Sequence, residues 1–243
     1  MRSRGLVNTL LLVGAIAAAS CSSARIAESV PASDAANGPT SIVNALASAV
    51  DLRAIGCRAE AVRGAGAMID GGFILTAAHV VAGALSISVV PSGSITGEPT
   101  AAQVVALDPA NDLALLTAPG LDIPQLQLGT MTTGDVGSAL IFRDAALAPK
   151  PFSIVRPVIV HILDIYDRDK VDRAGYQVEI EISPGDSGAV LIGPDGHADA
   201  TLYAKSRAAN DRAWAVGTQS VPALIATAQA GPAPTAPVGE CAH

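Results

Sequence analysis

The chain has 243 residues, half of them apolar and only 15% charged, with a formal net charge of −7. That composition can fill a core with Val, Ile, Leu and Ala, which excludes a disordered chain. The acidic balance and the lack of any dense Lys/Arg cluster exclude a phosphate-backbone binder, so no nucleic-acid partner is expected.

Residues 1–20 read as a targeting segment. Arg2 and Arg4 give a positive start, and Leu6 to Ala19 is almost wholly apolar. This run of about 14 residues is short of the roughly 20 needed to span a bilayer as a helix, and has the length of a secretory signal's apolar core. The end, Ala18-Ala19-Ser20-Cys21, resembles a bacterial lipoprotein box. The resemblance implies cleavage before Cys21, acylation of that cysteine, and a membrane partner reached through the lipid, at the outer face of the cytoplasmic membrane. An ordinary cleaved signal and free secretion is the alternative. Residues 22–45 are rich in Ser, Ala, Pro and Asn and read as a flexible tether. Residues 46–55 are expected to form a short helical lead-in, so that 21–56 lies outside the folded domain.

Two further cysteines are Cys57, where the domain is expected to begin, and Cys241, near the end. Export places them in an oxidising compartment, where paired thiols persist. Three cysteines then divide into one anchor, Cys21, and one bridge, Cys57–Cys241. Metal binding would compete for them, but there is no CxxC or spaced His pair, so neither a metal nor a cofactor is expected.

From Cys57 to about Ala226 the chain is a series of short apolar, β-branched runs broken by Gly, Pro, Asp and Asn. Those at 72–75, 85–90, 103–107, 138–142, 158–163, 177–182 and 189–192 are predicted strands, and their spacing indicates an all-β barrel or sandwich. Residues 221–230 are predicted to form a terminal helix opening at Pro222, followed by a Pro-rich tail from 231 to 243.

Three local sequences carry chemistry. In Thr76-Ala77-Ala78-His79 a histidine follows a strand; in Asn111-Asp112-Leu113-Ala114-Leu115 an aspartate enters one; Gly185-Asp186-Ser187-Gly188 is a tight serine loop. Singly, each has a plain structural explanation. Together, in the order His, Asp, Ser, they resemble the trypsin-like serine proteases, and the order separates them from subtilisins and α/β-hydrolases. The resemblance implies an all-β fold of two six-stranded β-barrels with a short C-terminal helix. Barrel one would cover about 57–130 and barrel two about 131–226, within one protease domain over 57–243. It implies a serine endopeptidase acting on polypeptides as a monomer. His79 would be the base, Asp112 its orienting partner and Ser187 the nucleophile, with the N–H groups of Gly185 and Ser187 as the oxyanion hole. The strand around Lys205, Ser206 and Arg207 would pair with substrate. Glu181, six residues before Ser187, would floor the primary pocket and favour basic residues if it points inward.

The runs at 158–166, 183–188 and 203–206 are similar, more narrowly, to the periplasmic domain of actinobacterial acid-resistance proteases, which likewise carry cysteines near both domain ends. Asp186 needs a partner if it is buried. Secreted bacterial relatives use an internal arginine after an apolar strand, which implies an Arg143–Asp186 pair here. The alternatives are a catalytically silent, protease-like binding module and an esterase with the same triad.

Overall fold

The computed structural model describes residues 39–94, 97–231 and 240–242. The expected signal and Cys21 lie outside the described residues, as do residues 232–239 of the tail. Helix α1 (Pro39–Ala47) leads into β1 (Ala49–Ile55), β2 (Val62–Ile69) and β3 (Phe73–Ala77), then the one-turn α2 (Ala78–Val81). Next come β4 (Ser86–Pro91), β5 (Thr100–Asp108) and β6 (Leu113–Thr117). These six strands form a closed antiparallel barrel in the order β1-β2-β3-β6-β5-β4, with Val50 opposite Gly66 on one side and Pro91 on the other.

The second half begins with β7 (Val136–Ala139), a small hairpin of β8 (Phe142–Arg143) and β9 (Ala146–Leu147), and β10 (Lys150–Leu163). It continues through β11 (Lys170–Glu179), β12 (Val190–Ile192), β13 (Ala198–Lys205) and β14 (Arg212–Gly217), and ends in α3 (Val221–Ala230). The strand order is β10-β11-β14-β13-β12-β7, and β7 also pairs with β10 through Ala139 opposite Lys150. The fold is all-β with a short C-terminal helix.

Alternation along the strands explains how the halves join. On β3, Phe73 and Leu75 face a core shared with the second sheet, while Ile74 faces the first barrel's interior. On β6, Leu113 and Leu115 face the shared core, and Ala114 and Leu116 the interior. Both faces of these strands are buried, so they read as continuous apolar runs.

The first barrel starts earlier than expected. The expected helical lead-in at 46–55 holds only for residues 46 and 47, the end of α1, because β1 occupies 49–55 and closes the barrel. Val50, Leu52 and Ala54 are buried, while Arg53 and Ile55 are exposed. That is the period of a strand, hidden by flanking alanines that suit a helix equally. The expected strand at 138–142 divides in two around the buried Leu140 and Ile141.

Candidate active site

The β3–β6 register, with Ala77 opposite Leu113, brings the end of one strand beside the start of the other. His79 lies in α2, directly after β3, and Asp112 directly before β6. Asp112 is buried and has φ +57°. One of its oxygens, Oδ1, accepts the His79 backbone N–H at 2.9 Å, and Oδ2 lies 2.8 Å from His79 Nδ1. A carboxylate only accepts, so Nδ1 carries the ring proton and Nε2 is left as a free acceptor.

The loop 183–188 is shaped by its own carboxylate and by the first barrel. Asp186 Oδ2 accepts the Ser183 N–H at 2.8 Å, and the Ala65 N–H donates to the Ser187 carbonyl at 2.9 Å. Gly188 has φ +84°, and a Cβ there would stand 2.3 Å from both Ala65 O and Thr76 Oγ1. Only glycine fits, and its fit seats the serine loop against the strands that lead to His79. Among the described residues, the Gly185 and Ser187 N–H groups donate to no other group, and the Ser187 hydroxyl makes no hydrogen bond to His79. Catalytic contacts of this kind often tighten only with substrate.

The structure also brings Arg143 to Asp186. Asp186 has no solvent exposure; Arg143 Nη1 donates to its Oδ1 and Nη2 to its Oδ2, the latter at 2.7 Å. The hydrogen bond to Asp186 holds the Arg143 guanidinium above its ordinary range. Cys57 and Cys241 form a disulfide across 184 residues of sequence.

Two expectations are corrected. Glu181 does not floor a pocket: its side chain is 69% exposed and stands 3.6 Å from Lys150 Nζ. The neighbouring Ile180 and Ile182 are buried, and alternation turns the residue between them outward. Ser206 is not within a strand, since β13 ends at Lys205. Its N–H donates to Arg212 O at 2.9 Å and its Oγ accepts from Ala208 N–H at 3.2 Å.

One charged group was not anticipated. Arg173 of β11 is buried, with Nη1 3.8 Å from Asp112 Oδ2 and Nε donating to Ala110 O at 2.9 Å. Nothing local in the sequence marks it, because its partners are about 60 residues away and belong to the other half of the fold.

The model of the trypsin-like peptidase domain family matches residues 64–198, more than half of the chain. The chain belongs to the trypsin-like peptidase family. Among curated proteins, this peptidase is similar to the serine protease Rv3671c of Mycobacterium tuberculosis, at 31% identity over 61% of the chain and 38% of the relative. It is also similar to a probable periplasmic serine endoprotease, DegP-like, of Chlamydia pneumoniae, at 32% identity over 56% of the chain and 28% of the relative. The alignments thus span well under half of these relatives' own length. Among solved structures, the active form of the Rv3671c protease from M. tuberculosis matches with a TM-score of 0.74 at 24% identity, over 86% of this chain and 91% of that one. An inactive form of it carrying a serine-to-alanine mutation matches with a TM-score of 0.66 at 27% identity, over 84% and 95%.

Proposed function

We propose that this chain is an exported serine endopeptidase that cleaves polypeptides through an acyl-enzyme, with His79, Asp112 and Ser187 as its triad. The observation that carries the reading is the His79–Asp112 pairing at 2.8 Å, which leaves Nε2 free as a base beside a loop with two uncommitted N–H donors.

A serine hydroxyl is a poor nucleophile until a base removes its proton. His79 Nε2 takes that proton as Ser187 Oγ attacks the scissile carbonyl carbon. The Gly185 and Ser187 N–H groups receive the charge that develops on the carbonyl oxygen, each such donor being worth about 3 kcal/mol in the transition state. The imidazolium, held by Asp112, then protonates the leaving amine, and the acyl-enzyme remains on Ser187. A water activated by His79 reverses these steps and releases the acid. Arg143 supports the oxyanion loop through Asp186. The two sheets are read as two barrels with the cleft between them. The apolar segment before Cys21 supports export, with a lipid on Cys21 holding the peptidase at the cell envelope.

Labelling with a fluorophosphonate probe tests the reading. Ser187 is expected to be labelled in the wild-type protein and Ser187→Ala to be unlabelled and inactive, with its fold intact. Turnover of peptides by Ser187→Ala sinks the assignment. Turnover of esters without any of peptides favours the esterase.

A further inference from the structure

Arg173 is the one charged group touching Asp112 that the steps above do not use. It belongs to the second sheet, yet its guanidinium is packed against the loop before β6. Nε donates to Ala110 O, Cζ lies 4.7 Å from the centroid of the Tyr203 ring, and Nη1 stands 3.8 Å from Asp112 Oδ2. That oxygen is the same one that receives the His79 ring. Both ionic side chains are nearly closed to solvent, at 3% and 4% exposure.

Asp112 has a φ of +57°, a left-handed conformation that persists in a non-glycine residue only where the surroundings hold it. The hairpin of β10 and β11 supplies much of that hold. Besides the Arg173 bond to Ala110 O, the Ile165 N–H at the hairpin's end donates to Pro109 O at 3.3 Å, and Ile165 is buried in the first barrel's core. Two consecutive carbonyls of the aspartate loop are therefore fixed by one hairpin.

We propose that Arg173 is a positioning residue for the triad: it fixes the loop through Ala110 and sets a permanent cation on the Asp112 oxygen that orients His79. This rests on the peptidase reading above. A cation at that oxygen opposes a second positive charge on the imidazole paired with it. The charged or titratable groups facing Asp112 are His79 from α2, Arg173 from β11 and Tyr203 from β13. Burial holds the Tyr203 phenol above its usual range, so that ring is neutral. On the same loop, Asp108 is turned to Asn111, and Asp172, beside Arg173, is paired with His161 on the outer surface.

Arg173→Gln removes the charge but keeps a donor, and Arg173→Lys keeps the charge but loses the Nε donor. In Arg173→Gln, kcat is expected to fall about 10- to 100-fold with KM within about twofold, the signature of a group that acts on the transition state. The acid limb of kcat/KM is expected to move to higher pH in Arg173→Gln and to stay in place in Arg173→Lys. The downfield proton resonance of His79 Nδ1–H, recorded without substrate, should shift or broaden in Arg173→Gln and persist in Arg173→Lys. An unmoved acid limb and an unchanged resonance in Arg173→Gln overturn the proposal, even if Tm falls, because an arginine that only stabilises the fold moves Tm alone. If Arg173→Gln does not fold, Arg173→Lys decides: kcat lowered about fivefold with the limb unmoved supports the proposal, and a wild-type kcat overturns it. Failure of the probe to label wild-type Ser187 would overturn the peptidase reading instead, and the His79 resonance would still test Arg173.

Discussion

Arg143 sets both terminal nitrogens of its guanidinium on the carboxylate of Asp186, a side chain with no exposure to solvent. The same carboxylate accepts the Ser183 N–H, two residues before Gly185, so the ion pair and the turn that aims the Gly185 N–H share one anchor. Arg143→Met leaves a buried charge with the Ser183 N–H as its one remaining donor among the described residues. It is expected to lower kcat about 10- to 100-fold with little change in KM, since a displaced oxyanion donor is felt in the transition state. Steady-state kinetics on a peptide substrate check this, and an effect confined to KM would count against it.

Gly188 gives a steric test of the same loop. Its positive φ and the 2.3 Å approach of a Cβ to Ala65 O mean that Gly188→Ala must push the loop away from β2. The expected cost is about 1–3 kcal/mol of stability, with loss of Ser187 labelling. Thermal melts and probe labelling read both effects, and a fully labelled variant contradicts the seating described here.

The Cys57–Cys241 bridge closes a loop of 184 residues. By chain entropy, a closure of that size stabilises by about 3–5 kcal/mol. Cys57→Ser is therefore expected to lower Tm by several degrees and to increase proteolysis near residues 240–242. Equal melting with and without reductant argues against a stabilising role.

Asp199 makes stability depend on pH. It is fully buried, neither oxygen has a hydrogen-bond partner among the described residues, and Gly129 and Gly193 leave the space it occupies. Burial first, and the negative Asp195 second, push its pKa up to about 7 from 3.8. The folded state therefore holds a proton that the unfolded state releases, and stability falls as pH rises from about 4 to about 7. The slope from this group is at most about 1.4 kcal/mol per pH unit. Asp199→Asn should flatten that slope. Denaturant unfolding at pH 5 and pH 7.5 measures it, and parallel slopes in the two proteins would falsify the assignment.

The proposed lipid on Cys21 has its own test. Cys21→Ala is expected to move the protein from the membrane pellet to the soluble fraction, because an acyl chain contributes about 0.8 kcal/mol per buried methylene. An unchanged pellet removes the lipid from the account.

Much of the site was legible in the sequence because it is local. His79 and Asp112 sit beside strand ends and Ser187 in a turn, each among small or turn-forming residues, and such junctions are written in a few adjacent positions. The α3 limits, at Val221 and Ala230, were readable for the same reason, from Pro222 and the Gly231 that follows. What was not legible depends on the other half of the molecule. Residues 49–55 read as helix because it is pairing with β2 and β4 that makes them a strand. Residues 198–205 carry no alternation because six consecutive positions, Ala198 to Tyr203, are buried. Arg173 is one of two cations in β11, with nothing nearby to announce Asp112. Glu181 had a clear place in the family pattern, yet its direction followed from the burial of Ile180 and Ile182.

Helix α3, the last element of the second half, packs back on β5 and β6 of the first barrel, and Val221 and Leu224 join the core that both halves share. The first barrel's outer wall is thus unfinished until residue 224 has emerged and returned. A chain built this way gains its native contacts late and over long separations, which slows folding and leaves apolar strands uncovered meanwhile. If the chain is threaded through a membrane before it folds, as proposed, that delay is an advantage: translocation needs an unfolded chain, and this topology withholds the native state until residue 224 is available.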